Sequence, residues 1–418
     1  MNNFKIIILL NLVFCFSLIK AQEISNADAK NIAKEWIEKV NENKTKVFTI
    51  KNIQEKFLDD KLSYRAVNFN EGGFVVIGAE NGLNPIIAYN KSSNFDENYL
   101  TQDEKDWFNF VEKKLANNRS KELLQSKSEN VKQNSSPKNL KSASSTTSVP
   151  SLFETTQSSR WAGWYPYSIE MPYQNGANGC VPGAMAQIMK YYKFPLKGSG
   201  SHSYTWYDLS NPVTLSVSFD SILFDYGNMP FRLTYCGNGT NNCNEGSFDI
   251  IPGVTVDQMS EISKLKYYCG LTVNMVWQGQ NTTGGGTYGN PGDWVQAMED
   301  HFNYSSNWTY LNENYISQNH EAFKASLRDE LTNGRPVLFA YYGSGYSNGH
   351  ALVLDGYEDD DYFHFAFGRG GAEDTYYYLF STDDDDLHGA LPYTAYYKAT
   401  IGIEPNCTTV SNLNLNNV

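Results

Sequence analysis

The stretch from Ala116 to Pro150, "ANNRSKELLQSKSENVKQNSSPKNLKSASSTTSVP", holds no aromatic residue and is dominated by Lys, Asn and Ser. Such a segment cannot bury enough apolar surface to offset the entropy of ordering it. It therefore divides the chain into two parts with separate cores, and 418 residues are enough for both. Exposed polar segments are also where proteases nick chains. Residues 116–150 are expected to be a flexible linker carrying a processing site.

The chain begins "MNNFKIIILLNLVFCFSLIKAQ", a Lys5-bearing start, an apolar run from Ile6 to Ile19 and a small residue at Ala21. This is the pattern of a secretory signal peptide over 1–21, too short and too early for a membrane span. Phe14 is too large to precede a lipid-bearing cysteine at Cys15. No later apolar run is long enough to cross a bilayer, so a secreted protein without a membrane partner is expected. Residues 22–115 read as a small α+β unit. "NADAKNIAKEWIEKV" spaces Ile32, Ala33, Trp36, Ile37 and Val40 as one helix face. "YRAVNFNEGGFVVIGAE" reads as two strands joined by a turn over Asn70–Gly73, and "NPIIAYN" as a third.

Aromatic-rich composition returns over 151–405, and the tail 406–418 is too short for a domain. Residues 151–418 carry 12 Lys and Arg against 28 Asp and Glu, a net −16, within a chain of net −13. That balance leaves no basic surplus to neutralise phosphates and excludes a nucleic-acid partner. With the signal removed five cysteines remain, Cys180, Cys236, Cys243, Cys269 and Cys407. An odd number leaves at least one thiol unpaired in an oxidising compartment. Cys236 and Cys243, in the polar loop "CGNGTNNC", are the pair expected if any forms.

"ANGCVPGAMAQIMKYYKFP" places Cys180 between a glycine and a helix whose first turn holds Pro182, where a missing N–H costs nothing. A sulfur at a helix start meets unpaired N–H groups and partial positive charge, which favour the thiolate. Gly179 allows another backbone to approach closely. A nucleophile and a buried structural thiol both fit this local pattern. A thiolate needs an imidazole to receive and return a proton. Of six histidines, His301 and His320 read as surface residues and His388 as part of an acidic loop. His350 stands at the start of an apolar strand, after the loop in "GSGYSNGHALVLDGY". Alternation sets His350, Leu352 and Leu354 on one face and Ala351, Val353 and Asp355 on the other. Asp355 is thus read as a strand-end turn residue that does not orient His350.

The series "GCVPGAMAQIMKYYKFP", "GSGSHSYTW", "FDSILFDY", "ISKLKYYCGLTVNM", "LTNGRPVLFAYYGSGYSNGHALVLDGY" and "YFHFAFGRGG" resembles, in order and spacing over about residues 160–405, the streptopain family of secreted papain-like cysteine proteases. "GGFVVIGAENGLNPIIAYN" resembles that family's inhibitory propeptide. The resemblance implies a two-lobed α+β protease domain at 151–405 behind a propeptide at 22–115, a zymogen acting on proteins or peptides. It implies Cys180 as nucleophile and His350 as general base, with Gly349 and Phe367 near the substrate, and no cofactor or metal. Two helper positions depart from the family. Gly163, in "WAGWYPY", stands where the family has an oxyanion-binding glutamine, and Ala366, in "AFGRGG", where it has an asparagine that orients the imidazole. Gln174, six residues before Cys180, is a candidate substitute donor, and His364 is read as a core histidine on the Ala366 face. A pseudoprotease that binds or inhibits without efficient chemistry is the alternative.

Other signals point elsewhere. "QNTTGGGTYGNPGDW" lacks the Lys-Ser/Thr ending of a phosphate loop and reads as a mobile loop near the cleft. The acidic runs "EDDDY" and "STDDDDL" read as solvated turns, and no Cys/His cluster has zinc spacing.

Overall fold

The computed structural model describes residues 23–41, 45–58, 60–79, 85–91, 94–96, 148–172, 177–208, 211–236, 248–277, 291–342, 349–358, 362–371, 374–379 and 396–406. The signal peptide, the linker up to residue 147, Gln174, Cys243 and the tail beyond 406 lie outside them, so the expected Cys236–Cys243 pair does too.

Helix α1 (Asn26–Val40) starts at Ser25, whose hydroxyl accepts from the Asp28 N–H at 3.1 Å. Its buried residues Ala29, Ala33, Trp36 and Ile37 follow the helical spacing of the sequence. Four antiparallel strands accompany it: β1 (Ile50–Leu58), β2 (Lys61–Phe69), β3 (Phe74–Gly78) and β4 (Ile86–Asn90). The β2–β3 turn needs glycine. Gly73 has φ +100°, and a Cβ there would lie 2.8 Å from the Asn90 carbonyl oxygen. β1, which no sequence pattern singled out, is the outer edge of this unit and mixes exposed with half-buried positions.

The larger part opens with a short helix, α2 (Leu152–Thr156), and the central α3 (Cys180–Tyr192). Two small hairpins follow, β5 (Ser201–Asp208) with β6 (Asn211–Ser218) and β7 (Thr234–Cys236) with β8 (Phe248–Ile250). Then come α4 (Val256–Thr272), α5 (Pro291–Phe302), β9 (Thr309–Leu311), α6 (Glu313–Gln318) and α7 (His320–Thr332). The chain ends in β10 (Val337–Tyr342), β11 (Gly349–Glu358), β12 (Tyr362–Ala366), β13 (Thr375–Tyr378) and β14 (Tyr396–Ile401).

Every residue from Val181 to Lys190 is buried, so α3 is an interior helix rather than an amphipathic one. It packs on β11 and α4. Ala351 and Val353 of β11 face this helical core, while Leu352 and Leu354 join a second core with α7 residues Phe323, Leu327 and Leu331. The alternation read from the sequence is the one the sheet uses, and it separates the two lobes. His320, read as a surface residue, is instead buried at the start of α7, 6.4 Å from the Phe323 ring.

The two parts of the chain share one ten-stranded sheet, ordered β1-β2-β3-β4-β13-β12-β11-β10-β14-β9. The join is β4 against β13, with Tyr89 opposite Tyr376 and Ala88 opposite Tyr377. Tyr89 and Tyr376 stack at 5.2 Å and 4°. The core of the first unit is completed by Tyr362 and Tyr376 of the second. Glu358, nearly buried, accepts from the Tyr89 hydroxyl at 2.5 Å and pairs with Lys91. Among the described residues no helix is long and apolar enough to cross a membrane.

Candidate active site

Cys180 is the first residue of α3, and Gly179 before it has φ +86°. That left-handed backbone is why a glycine precedes the cysteine: a Cβ would strain the turn that aims the chain into the helix. Burial is the largest single influence on the Cys180 thiol and pushes its pKa up. A hydrogen bond to the His350 side chain, the charge of that imidazole, and the N–H groups of Ala351 and Val181 together outweigh burial. The thiol sits below its ordinary value.

His350 is the second residue of β11 and is half-buried. Its Nε2 lies 2.9 Å from the carbonyl oxygen of Phe367. A carbonyl only accepts, so Nε2 carries the hydrogen, and Nδ1, across the ring, is left for the thiol. The Phe367 ring lies nearly parallel to the imidazole, 5.9 Å away at 15°, and Tyr341 stands at 6.0 Å on its strand neighbour β10. The Phe367 carbonyl and the Phe367 and Tyr341 rings thus help to orient the imidazole.

The loop after β12 brings Phe367 to this place. Gly368 has φ +72° and packs close to Gln187 of α3, and the Gly370 N–H donates to the Trp161 carbonyl at 3.0 Å. The Arg369 guanidinium lies over the Trp164 ring, 5.9 Å from its centre. Gly163 is held from the other side by the Asn178 N–H, which donates to its carbonyl at 2.8 Å. Asn178 is fully buried, its Nδ2 donates to the Tyr167 carbonyl at 3.4 Å, and its Oδ1 has no partner. A Cβ on Gly163 would lie 3.5 Å from that Oδ1, an ordinary contact.

Residues 157–377, just over half of the chain, match the peptidase C10 family, and residues 21–115 match the Spi protease inhibitor family. The chain belongs to the peptidase C10 family. Streptopain of Streptococcus pyogenes is 25% identical over 81% of this chain and 80% of that protein. The thiol protease/hemagglutinin PrtT of Porphyromonas gingivalis is 25% identical over 94% of this chain, which spans 43% of the PrtT length. A solved fragment of prointerpain A from Prevotella intermedia aligns over 84% of this chain and 98% of its own, with TM-score 0.57 and 23% identity. That likeness shows the fold, a two-lobed papain-like α+β domain preceded by a propeptide domain.

In this C10 peptidase, a cysteine endopeptidase with an inhibitor domain attached, the fold brings Cys180 and His350 together. Gly349 is exposed at the first position of β11, beside the imidazole. Phe367, expected near the substrate, is buried beside the imidazole. The residue is 3% exposed, its ring packs against Phe365 and Tyr377, and its carbonyl faces the imidazole. Asp355 is corrected as well. It is no turn residue but lies wholly buried in β11 at a register shift, accepting from His364 Nδ1 at 2.6 Å, Ser151 Oγ at 2.5 Å and the Phe153 N–H at 3.1 Å. Burial pushes the His364 pKa down, but the Asp355 charge and hydrogen bond outweigh it and leave it raised. His364 is therefore a paired core histidine. The Phe367 carbonyl and the Ala351 N–H escaped sequence reading because backbone groups leave no side-chain signature. Among the described residues no cluster of three or more His, Cys, Asp or Glu could hold a metal.

Proposed function

We propose that this chain is an exported zymogen of a cysteine endopeptidase, with Cys180 as nucleophile and His350 as general acid and base. One observation carries the reading: the thiol hydrogen-bonded to an imidazole whose other nitrogen is already committed to the Phe367 carbonyl. The Cys180 thiolate attacks the carbonyl carbon of a substrate peptide bond, and the negative charge passes to the carbonyl oxygen. N–H groups at the start of α3, with a side-chain donor such as Gln174, hold that oxyanion. The His350 imidazolium gives its Nδ1 proton to the leaving amine as the C–N bond breaks, leaving a thioester. Water then adds to the thioester, losing a proton to His350, and the thiol is released with the product carboxylate.

The first unit, residues 22–115, serves as the intramolecular inhibitor through its sheet contact with the catalytic domain at 151–405. Release requires a cut in the linker, 116–150, and that cut falls before Val149. Val149 exchanges two backbone hydrogen bonds with Tyr357, at 2.9 and 2.8 Å, and Ser151 is bonded to buried Asp355. Residues 149–153 therefore belong to the catalytic domain. Export follows from the signal peptide at 1–21, and substrates are proteins or peptides.

Gly163 favours a second reading, a pseudoprotease that has lost an oxyanion donor. The full chain, wild type beside Cys180→Ala, decides between them. Linker cleavage by mass and hydrolysis of an unfolded protein, both abolished in the mutant, are expected of the protease. A wild type that stays inert after its linker is cut by an added protease sinks it.

A further inference from the structure

The Phe367 carbonyl can orient His350 only if Phe367 itself is held, and its strand does not hold it. β12 ends at Ala366, whose partner across the ladder is Val353. Phe367 lies one residue beyond, at the head of a loop that turns back to β13. Its N–H is bound by one group, Oδ1 of Asp374, at 2.8 Å. Asp374 sits at the far end of the same loop, immediately before β13. One carboxylate thus ties the two ends of the β12–β13 loop together, and the tie is made on the residue that faces the imidazole.

A carboxylate is an expensive way to close a loop unless its position matters. The residue is partly exposed as a whole, yet burial of its carboxylate pushes its pKa up to about 7, against the opposing influence of His364, the Phe367 N–H and Arg160. The charged groups around it are already paired with others, His364 with Asp355 and Arg160 with Glu154. Among the described residues, the propeptide hydrogen bond to Asp374 is made at its backbone, where Asn90 Nδ2 donates to its carbonyl at 3.2 Å. Both partners of the Phe367 bond lie within the catalytic domain.

We propose that Asp374 is a positioning residue for the catalytic imidazole: its carboxylate fixes the backbone of Phe367, and the Phe367 carbonyl then holds His350 with Nδ1 toward Cys180. This rests on the reading of His350 as the catalytic base. The chain of contacts is Asp374 Oδ1 to Phe367 N–H, and Phe367 carbonyl to His350 Nε2. It accounts for a site that keeps an ordered imidazole with alanine at 366.

Two substitutions separate positioning from a general need for charge. Asp374→Asn keeps an acceptor for the Phe367 N–H and loses the charge. Asp374→Glu keeps the charge and moves the acceptor by a methylene. The readouts are the pH profile of iodoacetamide labelling at Cys180 in the full chain, and kcat and KM on a peptide once the linker is cut. Asp374→Asn is expected to keep the wild-type labelling profile and kcat. Asp374→Glu is expected to move the labelling limb up toward the free-thiol value of about 8.5, and to lower kcat by about tenfold to a hundredfold with KM little changed. Thermal unfolding confirms that both variants fold. A Glu variant with the wild-type profile and kcat, or an Asn variant shifted as far as the Glu one, overturns the proposal. If the wild type hydrolyses nothing, the protease reading fails on its own, while the labelling comparison still tests whether Asp374 governs the Cys180–His350 pair.

Discussion

His350 gives its Nε2 hydrogen to the carbonyl of Phe367 at 2.9 Å, so the place of an orienting asparagine is taken by a backbone atom one residue later in the chain. Ala366 is 2% exposed and faces the helical core with Ala351 and Val353. Ala366→Asn is expected to leave turnover unraised, because the nitrogen it would bind is already bonded. It is also expected to cost about 1–3 kcal/mol of stability by burying an amide without partners. Steady-state kinetics and a urea midpoint check both halves, and a several-fold gain in kcat would mean the carbonyl orients poorly.

Gly163 calls for the opposite expectation. Its φ is not in the left-handed region, and a Cβ there meets only Asn178 Oδ1 at 3.5 Å. Gly163→Gln therefore begins without a Cβ clash and would put an amide donor at the position where the streptopain-like pattern has one. One oxyanion donor is worth about a hundredfold to a thousandfold in kcat. A gain of about tenfold or more, with KM little changed, is expected because part of that worth is already met by N–H groups at the helix start. An unchanged kcat would assign the whole task to groups already present.

The thiol is held below its ordinary value although burial raises it, because His350 and the Ala351 and Val181 N–H groups together outweigh that burial. A lowered pKa means that thiolate persists as pH falls, until the pH passes through that lowered value. In His350→Ala the burial remains while the imidazole's hydrogen bond and charge are gone, and only the Ala351 and Val181 N–H groups still favour the anion. The labelling limb of Cys180 is expected to move to higher pH, above that of wild type. Rates of iodoacetamide alkylation across pH 5–10 check this, and coincident profiles would show the two side chains uncoupled.

The propeptide contact can be weakened at one buried carboxylate. Glu358 receives the Tyr89 hydroxyl and the Lys91 ammonium, and both donors lie in or beside β4. Glu358→Gln removes the charge while keeping the shape. Truncating one side of a buried charged pair costs about 2 kcal/mol or more, which is roughly thirtyfold in affinity. After the linker is cut, the propeptide of this variant is expected to separate on gel filtration at concentrations where the wild-type pair co-elutes.

Much of the local structure was legible because it is written in side-chain periodicity. Ala29, Ala33, Trp36 and Ile37 mark α1, the glycines at 72 and 73 mark the β2–β3 turn, and Gly179 with Pro182 marks the start of α3. The face assignment of His350, Leu352 and Leu354 held because a strand alternates regardless of what it packs on. What escaped depended on distant partners. Asp355 looked like the end of a strand because neither the Leu354–Gly356 irregularity nor His364 across the ladder can be inferred from neighbours in sequence. β4 against β13 joins residues almost three hundred positions apart, and no local pattern encodes that pairing. The Phe367 carbonyl carries no residue signature at all. Gln174 and the linker up to residue 147 lie outside the described residues, so their roles rest on sequence.

Lys266 of α4 offers a test of stability rather than catalysis. It is 1% exposed, its Nζ donates to the Ala162 carbonyl at 2.6 Å, and it lies over the rings of Tyr167 and Trp161 at 5.1 and 5.7 Å. Burial lowers its pKa to about 7, whereas an unfolded lysine keeps its proton to about 10.4. Between those values the unfolded chain binds a proton that the folded one lacks, so stability rises with pH by up to about 1.4 kcal/mol per unit. Below the folded value both states are charged, and the cost of the buried ammonium is felt in full. Lys266→Met fills the same space without the charge and is expected to flatten that slope, gaining most over wild type near pH 7 and least near pH 10. The raised pKa of His364 acts with the opposite sign, its stabilisation being complete below about 6.5 and lost as pH rises through its folded value. It is common to both proteins and cancels in their difference. Urea midpoints at several pH values between 6 and 10 measure the two slopes, and parallel lines would show that Lys266 is not the titrating group.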